Sequence, residues 1–290
     1  GYGGYSYYTT CMLDINAGGQ ITYNDLYPAS YDPTKSYVVS LTFDGKEVDF
    51  EDASTYYNVS TVNYLAAGSC NFNNAGVSLW PLNQIIFDTQ YYVRDAVINY
   101  ITAMGTVSPA IEGRLNFIYD VDAPVITISV PQAMTYTHPE FLTLDFSAVD
   151  VGPAGLKAVW ADLDGMPVTN GQVIDLYTLA LGDHTLTVYA VDKATNQASQ
   201  SVTFSITATI QSLKASVNRF YAEGKITKHD VYKGLMDKLV AAEKNKSVFV
   251  KINILQAFIN QVLAQKGKAI TPDAADLLIT DAKWVIAHLR

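Results

Sequence analysis

The chain has 290 residues, of which 49% are hydrophobic, 16% charged and 12% aromatic, and its net charge is −9 at pH 7. That length exceeds a single small stapled module and accommodates two or three domains, each with its own core, while the composition excludes disorder and low complexity. The longest apolar runs, such as Ile85-Ile86-Phe87, fall far short of the ~18–20 residues that cross a bilayer, so no membrane span is expected.

Charge divides the chain into three segments. Residues 1–121 carry 4 basic and 12 acidic side chains, residues 122–208 carry 2 and 9, and residues 209–290 carry 13 and 7. An acidic front with sparse Lys and Arg lacks the basic groove that phosphate contacts require, so nucleic acid is not an expected partner. The basic tail reads either as a solvated helical surface or as a face for an anionic cell wall, a membrane surface or the chain's own acidic part. Gly1-Tyr2-Gly3-Gly4-Tyr5 has neither the basic start nor the apolar core of a secretory signal, which predicts a fragment or a mature chain cut from a precursor.

In chain order, residues 1–121 read as mostly β structure with one main helix, and 15 of the 20 Tyr lie there. The two cysteines, Cys11 and Cys70, stand in no CxxC pattern. They are either a disulfide closing a loop of about 60 residues, worth roughly 4 kcal/mol by chain entropy, or two free buried thiols. Asp14–Asp25 has the length of a calcium loop, with Gly19 at position six and Ile21 at position eight. It departs at Gly18 and at the terminal Asp25, β-rich sequence precedes it, and the stretch also fits a strand and turn. Tyr37–Phe43 alternates as a strand, Asp44-Gly45 marks a tight hairpin into Lys46–Phe50, and Tyr56–Val62 reads as a further strand. Val93, Val97, Ile98 and Ile101 define one face of a helix over 89–104, with Asp88 or Thr89 as N-cap and Gly105 as its stop.

Four stretches within residues 8–118 carry a resemblance to a known family: Asp44-Gly45-Lys46-Glu47-Val48, Tyr57–Gly68, Tyr92–Val97 and Val107–Leu115. In this order and spacing the segment resembles the C-terminal, substrate-binding domain of the secreted 5'-nucleotidase family. The resemblance implies an α+β domain that binds nucleotides or nucleosides, with an aromatic ring stacked on the base. The family's Gly-Gly-Asp-Gly-aromatic stretch corresponds to Gly68-Ser69-Cys70-Asn71-Phe72, so Phe72 is the residue that carries over. Stacking on such a ring is worth ~1–3 kcal/mol per base, whereas the structural alternative for Phe72 is a core or loop-anchoring aromatic. The family hydrolyses nucleotides with a two-metal site in a separate N-terminal metallophosphatase domain. This chain has four His, at 138, 184, 229 and 288, with no metal-ligand spacing, so no catalytic residue, metal ligand or cofactor is expected in it.

Residues 122–208 predict short strands at 125–130, 142–147, 156–162, 186–192 and 202–206, with an Asp164-Gly165 hairpin. The segment resembles a bacterial immunoglobulin-like sandwich through Gly182–Val188 and Ala190–Asn196, and its acidic residues read as a solvated surface. From residue 209 the period becomes helical. Ile210, Leu213, Val217 and Phe220 precede a stop at Gly224. Thr227, with Asp230 three residues on, predicts a capping box before Val231, Leu235 and Leu239. Residues 248–265 give a third helix and Thr271-Pro272 opens a fourth, on which Trp284 and His288 read as core and rim. Through Gly224-Lys225-Ile226-Thr227 and Ala257–Thr271 this four-helix segment resembles the FIMAH-type helical module of bacterial wall-associated proteins.

The expected organisation is therefore a truncated nucleotidase C-terminal-like domain at 1–121, an Ig-like β-sandwich at 122–208 and a four-helix module at 209–290. Two functions follow from the resemblances, both extracellular or at a cell surface. One is the base-binding tail of a nucleotide phosphohydrolase whose catalytic domain lies outside this chain, which alone is inactive. The other is a non-catalytic structural or filament-forming subunit, self-assembling through sheet edges left open by missing strands or contacting the cell wall through its basic end.

Overall fold

The computed structural model describes residues 18–24, 37–57, 61, 63–68, 73–74, 77–78, 80, 82–108 and 110–289. Among the described residues the fold is mixed α/β, with several sheets and six α-helices, and the chain divides into two compact units, Gly1–Tyr119 and Asp120–Arg290.

In the first unit, β1 (Gly19–Asn24), β2 (Val38–Phe43), β3 (Lys46–Glu47) and β6 (Leu115–Ile118) form one sheet in the order β3-β2-β1-β6. The β2–β3 hairpin turns at Asp44 and Gly45, whose φ values of 49° and 76° are the two positive values a tight hairpin requires. β1 runs antiparallel to β2 and parallel to β6, and the latter register places Tyr23 opposite Phe117, their rings stacked at 5.8 Å. Gly19–Asn24 is an extended strand, so half of the Asp14–Asp25 stretch that has the length of a calcium loop is sheet. Between β3 and β6 lie the one-turn α1 (Asn63–Ala66), the short pair β4 (Asn73–Asn74) and β5 (Val77–Ser78), and α2 (Val93–Met104). The strand expected over Tyr56–Val62 is not seen at Tyr56 and Tyr57, which lie in no regular element; Asn58–Ser60 and Val62 fall outside the described residues.

Helix α2 starts later than the sequence predicts. Asp88 and Thr89 spend their side chains on the N–H groups of Gln90 and Tyr91, forming turns ahead of the helix, and Gln90 has φ 50°. Tyr92 becomes the N-cap, with no side-chain cap, and Gly105 ends the helix as expected.

The second unit opens with a two-layered β region. One layer holds β7 (Val125–Val130) with β10 (Asp145–Val149), and β9 (Phe141–Thr143) with β13 (Val173–Asp175). The other is a five-stranded sheet in the order β12-β11-β14-β15-β8, built from β8 (Thr135–Thr137), β11 (Leu156–Leu163), β12 (Met166–Val168), β14 (Gly182–Asp192) and β15 (Gln197–Thr207). Alternation decides what is inside: Leu142, Leu144 and Phe146 are buried while Phe141, Thr143 and Asp145 are exposed. They meet Leu186, Val188, Ala190, Phe204 and Ile206 of the larger sheet in one core.

Helices α3 (Ile210–Ala222), α4 (His229–Lys244), α5 (Val248–Gln265) and α6 (Pro272–His288) follow, packed around Leu213, Val217, Phe220, Leu235, Leu239, Phe258 and Leu278. Their apolar positions are those read from the period of 3.6. The caps differ in part. Thr227 does not cap α4, which starts from Lys228 without a side-chain cap; its N–H instead donates to Ala269 O at 2.9 Å, tying the α3–α4 loop to the α5–α6 loop. Ser247 caps α5 while its own N–H donates to Asn245 Oδ1, so Asn245-Lys246-Ser247 is the turn between α4 and α5. Only Ala208 and Thr209 separate β15 from α3, and Thr209 with Ser212 forms a reciprocal capping box that fixes the angle at which the helix leaves.

Candidate functional site

Strand β14 places polar groups at both ends of an otherwise apolar inner face. The inward positions Leu186, Val188 and Ala190 continue in register to His184 at one end and Asp192 at the other, so both are buried. Asp192 there meets Asp120 and Asp150, with one oxygen of each carboxylate within 4.8 Å of the others. Asp122, Glu140, Asp145, Asp164 and Asp183 are exposed, as expected of a solvated acidic surface, whereas Asp192 and the preceding segment's Asp120 are 0% and 1% exposed. The clustered oxygens are used for loop closure. Asp120 accepts from the N–H groups of Asp122 and Ala154, Asp150 from those of Gly152 and Gly155, and Asp192 from the N–H and side-chain amide of Asn196. Gly152 is required by this packing, since a Cβ there would lie 2.1 Å from Asp120 Oδ1. Burial, with the negative charges of Asp120 and Asp150 beside it, pushes the Asp192 carboxyl above its ordinary value. Three hard oxygen donors of this type match calcium or magnesium better than zinc, and among the described residues they are the one such cluster.

A second polar constellation joins the β region to the helices. His138 follows β8, whose parallel pairing with β15 sets it beside Thr207. Its Nδ1 lies 2.6 Å from Asp281 Oδ1 on α6, and its Nε2 lies 3.0 Å from Leu179 O. Burial alone would lower the His138 pKa, but the Asp281 hydrogen bond and charge outweigh it and hold the imidazole above its ordinary value of 6.5. Burial raises Asp281 in turn, against the pull of His138. Arg219 on α3 reaches Asp175 through both Nη atoms, donates to Pro139 O, and lies over the rings of Phe141 and Tyr177 at 4.2 and 4.7 Å. Burial would raise Asp175, but Arg219 and the Tyr177 N–H hold its carboxyl below the ordinary range. Trp284 Nε1 donates to Thr207 Oγ1 at 3.1 Å, and Leu181 packs against the cores on both sides.

The four histidines take separate local partners. His184 bonds Asp164 and Ala180 O, His229 faces Tyr221 and Tyr232, and His288 stacks on Trp284 at 4.3 Å. Phe72, Cys11 and Cys70 lie outside the described residues. A surface depression of about 510 Å³ runs between α4 and α5 along Gly234, Lys238, Val250 and Ile254. Among the described residues no helix is long and apolar enough to cross a membrane.

Sequence reasoning missed both constellations. The available signal for the first was Asp192 at the inward end of an alternating strand, followed four residues on by an Asn able to cap it. The second joins residues 143 apart and left no local trace.

No protein-family model matches this chain, and no curated protein matches it. Among solved structures it is similar to the fibronectin(III)-like modules of Clostridium thermocellum CbhA, at 17% identity over 32% of this chain and 50% of that one, with a TM-score of 0.26. It is also similar to the endo-beta-1,4-mannanase from Thermotoga petrophila, at 9% identity over 30% and 20% of the two chains and a TM-score of 0.25. The Protocadherin GammaB4 extracellular domain matches at 15% identity over 33% and 18%, with a TM-score of 0.21. The chain thus spans half or less of each, and likenesses this slight assign neither fold family nor function.

Proposed function

We propose that this chain is a non-catalytic structural element of a bacterial surface protein, in which an Ig-like sandwich and a FIMAH-like helical module act together as one rigid arm. The observation that carries the reading is the joint between β region and helices. It combines a two-residue connection closed by a capping box with the His138–Asp281 and Arg219–Asp175 pairs and the Trp284–Thr207 bond. A flexible tether between independent domains needs none of these, whereas a spacer that transmits position needs all of them. The side chains available for chemistry support the same reading, because the clustered carboxylates close loops and each histidine has its own local partner.

The surface location and the nucleotidase ancestry of the first unit rest on the resemblances in sequence. The base-binding alternative rests on Phe72, to which the geometry adds nothing, and the filament alternative has its counterpart in the short edge strands β3 and β6 of the first sheet. Backbone ¹⁵N relaxation on the full chain tests the proposal. One rotational correlation time shared by β14 and α4 is expected, and clearly separate values would overturn it. A parallel assay with nucleoside monophosphates and divalent metal is expected to release no phosphate.

A further inference from the structure

We infer that His138 and Asp281 form a one-proton latch, which holds the helices against the β region at neutral and mildly acidic pH and loosens that joint as pH rises. The inference deepens the rigid-arm reading and rests on it.

The geometry fixes the proton count. Leu179 O can only accept, so Nε2 of His138 carries a hydrogen at 3.0 Å from it. The 2.6 Å contact between Nδ1 and Asp281 Oδ1 then needs a second proton, whether it sits on the ring or on the carboxyl. Either way the pair is neutral and holds one proton more than an imidazole facing a carboxylate. Removing that proton would set a ring lone pair against either the Asp281 anion or the Leu179 carbonyl oxygen. The side chains of His138 and Asp281 are 2% and 0% exposed, and Asp281 Oδ2 has no hydrogen-bond partner, so the resulting charge would be buried uncompensated. Proton loss is therefore coupled to opening, which lets water reach the carboxylate.

The surrounding groups do not relieve that charge. On the β side Glu140 accepts from Thr137, Asp175 is committed to Arg219, and the Tyr177 hydroxyl is buried and raised, so it stays neutral. On α3, Arg219 is shared between Asp175 and Glu223, and Lys225 beyond it pairs with Glu223. His184 and Asp164 make the same two bonds, but Asp164 is 41% exposed and both residues belong to the β region, so that pair links no separate elements.

The sign follows from linkage. His138 is raised above 6.5 when folded, so its contribution is complete below 6.5 and is lost as pH rises through the folded value. The raised Asp281 has the same sign. Asp175 has the opposite one: lowered from 3.8, it contributes above 3.8 and is lost as pH falls through its folded value. The joint is tightest between these two limits.

Hydrogen exchange of α6 amides in the full chain, corrected for the chemical exchange rate, tests the latch. Above pH 6.5, protection should fall about tenfold per pH unit until the folded His138 value is reached. In Asp281→Asn the side-chain amide donates to an Nδ1 lone pair without any extra proton, so protection should become independent of pH over that range. A flat response in the unaltered chain, or a slope that persists in Asp281→Asn, overturns the proposal. Should that variant fail to fold, the His138 ring signals of the unaltered chain decide: a titration midpoint above 6.5 supports the latch and one at or below 6.5 contradicts it. Separate tumbling of helices and β region at pH 6 would instead count against the rigid arm itself.

Discussion

Helices α2 and α3 look alike in sequence and end up in opposite circumstances. Both carry apolar residues at helical spacing and stop at a glycine, yet α3 buries Leu213, Val217 and Phe220 completely, whereas Val93, Val97, Ile98 and Ile101 of α2 remain 47–59% exposed. Periodicity marks a face; only a partner at the right distance makes that face a core. In the second unit three further helices, with Tyr177, Leu181 and Ala208, supply that partner. In the first unit, among the described residues, Val39 is the one buried large apolar side chain.

Truncating a side chain on each face separates the two helices. Phe220→Ala removes a fully buried ring packed 5.0 Å from Tyr177 and should cost about 3–5 kcal/mol in denaturant unfolding. Ile98→Ala on the exposed face should cost about 0.5 kcal/mol or less, and equal losses would mean that α2 is buried after all.

Next in size is Arg219→Met, which keeps the stem but removes the bidentate bond to Asp175. A loss of about 2–3 kcal/mol is expected, together with disappearance of the part of the acid-side stability slope that Asp175 supplies. A pH profile of unfolding midpoints reads both effects.

Gly152→Ala should cost about 1–2 kcal/mol, because its Cβ meets a buried carboxylate already held by two N–H groups. Thermal unfolding that matches the unaltered chain would show that the Asp120 loop can yield.

The smallest effect belongs to the first unit. Asp52 accepts from the Ser54 N–H and from the Ser54 and Thr55 hydroxyls, which lower its pKa to about 2. In Ser54→Ala the carboxyl signal followed by NMR should titrate closer to 3.8.

The sequence was most legible where one physical signal acted alone. Short strand runs at steady intervals located β7, β11 and the later part of β14 and β15, the 3.6 period located α3 to α6, and Asp-Gly placed both hairpins. The three-residue strands β8, β12 and β13 escaped because so few positions carry no period. Caps were misplaced where a side chain or backbone had a competing partner, as Thr227 has in Ala269 and Asp88 in Gln90. The polar joint was illegible because it is assembled from Phe141, Asp175, Arg219 and Asp281, which only the tertiary fold brings together.

If the β region and the helices form one cooperative body, native-state hydrogen exchange of Phe220→Ala, read at amides of β14 and of α4, should show protection falling together and by a similar factor in both, since the joint transmits the loss. Protection lost in α4 while β14 stays as in the unaltered chain would contradict it.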